Sequence, residues 1–584
     1  MTNRFLSQAD CLDPTCGRSN SIEGNIHMPV RTSRLQLPSF ILMTLLLALV
    51  CGMALPSFAA PASDKLLAAT PPMGWNDWAH YECRFTAQTI LDNAKALVKS
   101  GLAAHGYNTV TIDDCWMQKD RDAHGNLQVD PQRFPQGMKP IAQAIHGMGL
   151  KFGIYEDAGY ETCGKFAGSG VPDGGGNGHF LQDARLFASW GVDYLKLDGC
   201  NIYVPAGSTK AESYRKAYAA ENAALKKVGR PIVFSESAPA YFQGTPDWYD
   251  VLRWVKRYGQ LWREGTDVAT FDPKKPDNPR FHSVLWNYSY NLPLGRFQKP
   301  GNWNDADFII GGDNGTSLPE TRSQLALWSM MSAPLILSSD LEKLSPEAIA
   351  ILSNKAVLAV DQDALGKTAN LVRRNPSMDV LFKKLSGGDY AIAVLNHGSS
   401  PIQVALHPAD FGFAAKAGCS LAARNLWSGV NEPATSTLQA SVASHDTMIW
   451  RIRATPSCGT PTRTGTIVMV AGDRHREDMD RYTRCLAATG SVEDCAGTSA
   501  ETWTITSSGA LKSAGTCLAV ADGKPTMQAC SASKAQHWKY TLLGNVTSAD
   551  GRCLTAGGLD NSSQPLSLQA CGHNQPDQIW SLPN

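Results

Sequence analysis

Between residues 105 and 235, short apolar runs recur about every 40 residues, and this recurrence constrains the fold more than any other feature of the chain. The runs are Asn108 to Ile112, Leu150 to Tyr155, Val192 to Leu197 and Pro231 to Phe234, each of strand length. Between them lie helical patterns at Met138 to Met148, Phe180 to Trp190 and Ser213 to Lys227, with a glycine near each end that suits a C-cap. Strand, helix and strand again require a crossover, so the strands are expected to be parallel. A doubly wound sheet and an eight-stranded barrel both fit this alternation. The span of about 290 residues from Pro71 to Val360 suits an α/β chain folded as a (β/α)8 TIM barrel with insertions.

Four of the runs end in acids: Asp113-Asp114, Glu156-Asp157, Asp198 and Glu236. In a barrel these places are the rim of the active site, where carboxylates cost stability through repulsion and desolvation. A single Asp there is explained by helix capping. The whole set, with Trp75, Trp78, Trp116, Trp303 and Tyr155 close in sequence, reads as a sugar pocket. Two carboxylates suffice to break a glycosidic bond, so no cofactor and no metal is expected. Lys plus Arg and Asp plus Glu are 53 each, which gives no net field for a polyanion. Nucleic acid and membrane-surface partners are therefore not expected. Leu365-Gly-Lys-Thr368 imitates the end of a P-loop, but Asp361 stands where its first glycine belongs. Gly174-Gly175-Gly176 follows no strand and reads as a flexible loop.

The apolar stretch from Leu35 follows Arg31 and Arg34 and closes in Ala60-Pro61-Ala62, the layout of a secretory signal peptide. Residues 1–62 are read as a leader, with Met28 as the alternative start. The mature protein is expected to be secreted or periplasmic, without stable membrane association after cleavage. Losing the leader removes Cys11, Cys16 and Cys51 and leaves an even set of cysteines. In an exported chain without a CxxC pair, an even set favours disulfides. Asn287-Tyr-Ser and Asn545-Val-Thr have the form of glycosylation sequons.

The catalytic barrel is placed at 63–360. From 361 to 455 the pattern turns to short alternating runs, Val380 to Lys383, Tyr390 to Leu395, Ile402 to Leu406 and Met448 to Ile452, expected as an antiparallel β-sandwich. Residues 456–462 have a linker's composition, with Cys458 a candidate to pair with Cys419. Residues 463–584 hold a threefold repeat, CLAA with AETW, CLAV with AQHW and CLTA with DQIW, closed by Trp503, Trp538 and Trp580.

Six motifs in order resemble family 27 of the glycoside hydrolases, the α-galactosidases and α-N-acetylgalactosaminidases, over about residues 68 to 455. They are Thr70-Pro-Pro-Met-Gly-Trp-Asn76, Ile112-Asp-Asp-Cys-Trp116, Gly149-Leu-Lys-Phe-Gly-Ile-Tyr155, Tyr194-Leu-Lys-Leu-Asp-Gly-Cys200, Gly301-Asn-Trp-Asn-Asp-Ala-Asp307 and Ala333-Pro334. The resemblance implies a retaining enzyme with Asp198 as nucleophile and Asp267 as acid/base, Arg263 standing four residues before the latter. It implies that Asp113 and Asp114 grip the outer hydroxyls beside Lys196, and that Trp78, Tyr155, Cys163 and Asp307 complete the pocket. It further implies the disulfides Cys83–Cys115 and Cys163–Cys200. Glu264, the nearest rival acid, is read as a solvated surface charge.

One segment departs from the family. Enzymes for plain α-galactosides usually carry Cys-Glu-Trp after the fifth strand, whereas this chain reads Phe234-Ser-Glu-Ser-Ala-Pro-Ala-Tyr241. Aligned without a gap, Glu236 replaces the Cys and Gly259 its partner, and Ser237 and Ala240 stand where the N-acetylgalactosamine enzymes carry Ser and Ala. Shifted by one residue, Glu236 instead returns to the sugar's 2-hydroxyl. The expected activity is hydrolysis of terminal α-galactosyl residues from oligosaccharides or polysaccharides, with α-N-acetylgalactosaminidase as the alternative. An isomalto-dextranase, a β-L-arabinopyranosidase and a non-catalytic sugar-binding protein stand further off. The C-terminal repeats resemble the ricin-B-type β-trefoil, which implies the pairs 485 with 495, 517 with 530 and 553 with 571. Sugar-binding lobes of that type usually have Asp directly after Cys-Leu, where this chain has Ala487, Ala519 and Thr555.

Overall fold

The computed structural model describes residues 66–173, 178–414, 416–470, 484–558 and 563–584. The leader expected at 1–62, with Met28, Cys11, Cys16 and Cys51, lies outside the described residues, as do Gly174, Gly175 and Gly176. Among the described residues no helix is long and apolar enough to cross a membrane.

Eight parallel strands form the catalytic sheet: β1 (Met73–Asn76), β2 (Thr109–Ile112), β3 (Lys151–Asp157), β4 (Tyr194–Asp198), β5 (Val233–Glu236), β6 (Leu261–Arg263), β7 (Trp303–Asp305) and β8 (Leu335–Leu337). Neighbours in sequence pair in order from β1 to β7, and β8 pairs with β1. The ring closes just beyond β7, where Ile309 and Leu337 form a parallel bridge and the Ile309 amide donates to the Ile336 carbonyl at 2.8 Å. Helices α1 (Trp78–Tyr81), α2 (Ala87–Lys99), α3 (Met138–Gly147), α4 (Phe180–Trp190), α5 (Lys210–Val228), α6 (Trp248–Val255), α7 (Phe281–Asn291) and α8 (Leu318–Met331) follow the successive strands. Helix α5 starts three residues earlier than its apolar pattern suggests. Thr209 and Glu212 form a reciprocal capping box there, which satisfies amides that an apolar period does not report.

Register decides which side chains face the barrel interior. Asp157 lies opposite Asp198, while Glu156, Leu197 and Glu236 form the next row, across β3, β4 and β5. Side chains alternate along a strand, so the two rows face opposite sides of the sheet.

Most of the tryptophans grouped with the pocket are core residues instead. Trp75, Trp116 and Trp303 are essentially inaccessible, and their indole N–H groups donate to the carbonyls of Ser339, Tyr155 and Ala68. Trp116 packs edge-on against Trp190 of α4. A large ring whose one polar atom is bonded to backbone fits the core as well as it fits a sugar-stacking surface. Trp78 alone of these four remains partly exposed.

Strands β9 (Asn370–Asn375), β10 (Met378–Lys384), β11 (Tyr390–Asn396), β12 (Ile402–Leu406), β13 (Leu421–Asn425), β14 (Asn431–Thr435), β15 (Leu438–Val442) and β16 (Thr447–Ala454) form a six-stranded sheet with a β12–β15 pair beside it, all antiparallel. Cys419 is bonded to Cys458. The buried Lys383 of β10 reaches the barrel, donating to the carbonyls of Ser329 and Val360 at 2.7 and 2.8 Å.

The C-terminal repeat has a physical basis in each lobe. Trp503, Trp538 and Trp580 donate to the carbonyls of Leu486, Leu518 and Leu554, the leucines of the Cys-Leu pairs. Glu501, Gln536 and Gln578, two residues before each Trp, accept from backbone amides at Gly497, Ser531 and Gly572. The cysteines pair within lobes, 485 with 495, 517 with 530 and 553 with 571. Ala487, Ala519 and Thr555 are buried, so the trefoil motif here is architecture first. Arg296 docks this domain on the barrel by donating to the carbonyls of Leu542 and Leu543 at 2.7 and 3.1 Å.

Candidate active site

The mouth of the barrel is built from residues just at or beyond the strand ends. Lys196 and Asp198 lie two apart on β4 and share its inward face. Lys196 Nζ is 2.8 Å from Asp113 Oδ2, which also accepts from Asn76 Nδ2 at 2.7 Å. The ammonium lies 5.2 Å from the centre of the Tyr155 ring and 5.0 Å from that of Phe308. Burial alone would lower the Lys196 pKa, but Asp113, Asp198 and Asp267 outweigh it and raise it above the usual lysine range. A cation is thus fixed under the nucleophile candidate.

Asp114 accepts from the amides of Cys115 and Gly164, at 2.6 and 2.8 Å. Burial pushes its carboxyl up to about 6 despite these bonds. Asp113 takes its own amide bond to Asp77 Oδ1 at 2.7 Å, so the pair is held from β1 as well. The disulfides Cys83–Cys115 and Cys163–Cys200 both close beside these residues. Tyr155 is buried, and its hydroxyl points to Cys163 Sγ at 3.6 Å.

Asp198 Oδ1 accepts from the Gly199 amide at 3.1 Å and from the Tyr241 hydroxyl. Burial raises the Asp198 pKa, while Lys196 and the Tyr241 bond pull it back and Asp267 raises it further. The Asp267 carboxylate is therefore near enough for its charge to be felt at Asp198. The Asp267 side chain is 67% exposed and is tethered by Arg263 Nη2 at 3.0 Å. The buried Arg263 also forms a 2.8 Å ion pair with Asp307. Asp307 adopts a left-handed backbone, φ 77°, and its Oδ2 accepts from the Val268 amide at 2.7 Å. Burial lifts its carboxyl to about 7 against the pull of Arg263. A non-glycine residue in that conformation is strained, and the Arg263 pair and the Val268 amide hold it there.

Three placements correct the sequence reading. Glu236, carried as a contact to the sugar, is wholly buried in the outward row, and a Cβ on Gly259 would stand 2.4 Å from its Oε1. The space left by the absent Gly259 side chain is filled by this carboxyl, whose pKa burial raises well above the ordinary glutamate value. Glu156 lies in the same outward row and is also wholly buried. Glu264, read as a solvated surface charge, is fully buried, with Oε1 accepting from the Asp305 amide at 3.1 Å. The strand β6 ends just before it, so its side chain turns under the rim while Asp267, three residues on, emerges into solvent.

Ser237 is buried just before the 3₁₀ turn Ala238–Phe242, which carries the partly exposed Ala240 and Tyr241. Tyr241 is a candidate site residue that sequence reasoning missed: its hydroxyl touches Asp198 and lies 3.0 Å from Cys200 Sγ. Asp157 was grouped only as a rim acid. It holds the loop after β4 by accepting from Cys200 N at 2.9 Å, and burial beside Asp198 raises its pKa.

Comparison with known proteins matches residues 70–363 to the alpha galactosidase A family model, 375–452 to the alpha galactosidase C-terminal beta sandwich domain and 464–580 to the ricin-type beta-trefoil lectin domain. The chain is 36% identical over 532 residues to alpha-galactosidase A of Aspergillus niger, covering 89% of this chain and 92% of that one. Among solved structures it resembles alpha-galactosidase I of Mortierella vinacea, with TM-score 0.59, 30% identity and coverage of 67% of this chain and 98% of that chain. It also resembles the alpha-galactosidase of Saccharomyces cerevisiae solved with raffinose, with TM-score 0.57, 25% identity and coverage of 67% and 98%.

Proposed function

This chain belongs to the α-galactosidase family of glycoside hydrolases, and we propose that it works by double displacement between Asp198 and Asp267. The enzyme hydrolyses terminal α-galactosides. In the proposed first step an Asp198 oxygen bonds to the anomeric carbon as the bond to the leaving oxygen breaks, and Asp267 gives that oxygen its proton. In the second step Asp267 takes a proton from water, the water oxygen bonds to the anomeric carbon, and Asp198 leaves with the electron pair. Two inversions return the α configuration.

The observation that carries the reading is the placement of the two acids. Asp198 sits over the Lys196–Asp113 pair with an accepting oxygen fixed by Gly199 and Tyr241. Asp267 is exposed and tethered by one guanidinium, which suits a group that exchanges protons with a leaving group or water. Asp113 and Asp114 supply buried carboxylate oxygens for two sugar hydroxyls. The disulfides found among the described residues fit an oxidising compartment, so we assign the enzyme to the secreted or periplasmic space.

The outward Glu236 favours a second reading. It leaves two small residues, Ser237 and Ala240, shortly before Tyr241, the residue types that the N-acetylgalactosamine enzymes carry there. The test is kcat/KM on p-nitrophenyl α-galactoside and on the α-N-acetylgalactosaminide side by side. The galactoside is expected to be preferred; preference for the acetamido sugar establishes the second reading, and no turnover of either contradicts both.

A further inference from the structure

The segment carrying Asp267 is held from its far side by Gln243. This residue follows the 3₁₀ turn Ala238–Phe242 and is two positions beyond Tyr241. Its Oε1 accepts from the Thr266 amide at 2.9 Å. Gly265 lies flat against the same amide group: a Cβ there would be 2.5 Å from Oε1 and 2.6 Å from Cδ. The Gly265 backbone is not left-handed, so glycine is required for this close approach and not for conformation.

The other polar atoms of Thr266 are also engaged. Its carbonyl accepts from Arg263, Asn287 and Tyr290 at 3.0, 3.2 and 3.1 Å, and its hydroxyl from Trp286 Nε1 at 2.8 Å. The residue just before Asp267 is therefore fixed, although the Asp267 side chain is open to solvent. Arg263, Asn287, Tyr290 and Trp286 hold Thr266 from the β6 and α7 side. Gln243 holds it from the turn whose Tyr241 touches Asp198, so one short stretch of chain links the nucleophile to the acid/base segment.

We propose that Gln243 is a positioning residue for proton transfer: it sets the Gly265–Asp267 segment against the Tyr241 turn and thereby the reach of Asp267 to the leaving oxygen. The proposal rests on the acid/base role given above to Asp267. A displacement of about 1 Å in a proton donor is enough to cost rate steeply. The loss is selective, because a leaving group that departs as a stable anion needs no proton, whereas a sugar alcohol does.

The experiment compares wild type, Gln243→Leu and Gln243→Glu with Asp267→Ala as reference, on melibiose and on 2,4-dinitrophenyl α-galactoside. For Asp267→Ala, kcat/KM should collapse on melibiose and survive on the dinitrophenyl substrate, with azide raising kcat and yielding α-galactosyl azide. Gln243→Leu should lower kcat/KM on melibiose about tenfold, the value of one lost hydrogen bond, and change it less than about twofold on the dinitrophenyl substrate. Gln243→Glu keeps the acceptor and should restore most of the melibiose rate. Gly265→Ala pushes the Gln243 amide away from the other side and should reproduce the leaving-group dependence if Gln243→Leu fails to fold. Equal losses on both substrates, or no loss on either, overturn the role of Gln243. Absence of leaving-group dependence in Asp267→Ala overturns instead the acid/base reading on which it rests.

Discussion

The Tyr241 hydroxyl and the Gly199 amide both donate to the same oxygen of Asp198, Oδ1, and among the described residues no donor reaches Oδ2, the oxygen that the proposed mechanism brings to the anomeric carbon. The Tyr241 bond lowers the Asp198 pKa, and burial raises it. Tyr241→Phe removes the lowering contribution, so Asp198 takes up its proton at higher pH. The acid limb of kcat/KM against pH should move to higher pH. An unmoved limb in a folded variant contradicts this coupling.

Lys196 and Asp113 are both buried and meet at 2.8 Å. Lys196→Met keeps much of the volume but strands the Asp113 charge with Asn76 as its remaining side-chain donor. Stability should fall by about 3 kcal/mol, read from the denaturant midpoint, and kcat/KM on a galactoside by more than about a hundredfold. Lys196→Arg should not restore activity, because the planar guanidinium cannot replace a compact ammonium against the Tyr155 and Phe308 rings.

Glu236 is buried with a pKa raised above the ordinary glutamate value by desolvation. A raised carboxyl contributes stability that is complete below its unfolded pKa and is lost as pH rises through the folded one. Glu236→Gln keeps the shape over Gly259 and removes the titration. Its Tm should match wild type near pH 4 and exceed it at pH 8. A variant that tracks wild type across that range contradicts the raised pKa of Glu236.

The inward acids were legible because strand and motif gave Asp113, Asp114 and Asp198 together. Glu156 and Glu236 ended apolar runs in the same way, yet face outward. In a parallel sheet covered on both faces, strands read as continuous apolar runs, so the parity that separates Asp157 from Glu156 is fixed only by the barrel's register. Tyr241 was hidden for another reason: its partner is 43 residues away and no local period announces the turn. Solvent exposure was equally out of reach. Asn287 and Asn545 both carry sequons, but each is buried and donates its amide nitrogen to backbone carbonyls. The trefoil was legible in outline from its repeat, whereas the hydrogen bond from each Trp to its Cys-Leu carbonyl gave the repeat its reason.

Arg296 spends its guanidinium on backbone carbonyls of its own domain and the trefoil, Pro293 and Leu542–Leu543. Arg296→Ala should cost about 2 kcal/mol and expose the stretch 455–462 to limited proteolysis, with kcat on a galactoside unchanged. Resistance to the protease equal to wild type argues against docking through this side chain.

The central claim is that Asp198 bonds covalently to the sugar. A 5-fluoro-α-galactosyl fluoride slows both steps by opposing positive charge at the ring, while its fluoride leaving group speeds the first, so the galactosyl-enzyme accumulates. Digestion and mass spectrometry should place one fluorogalactosyl adduct on the peptide containing Tyr194-Leu-Lys-Leu-Asp198, and none should form in Asp198→Ala. An adduct on any other carboxylate, or steady turnover of galactosides by Asp198→Ala, contradicts the account.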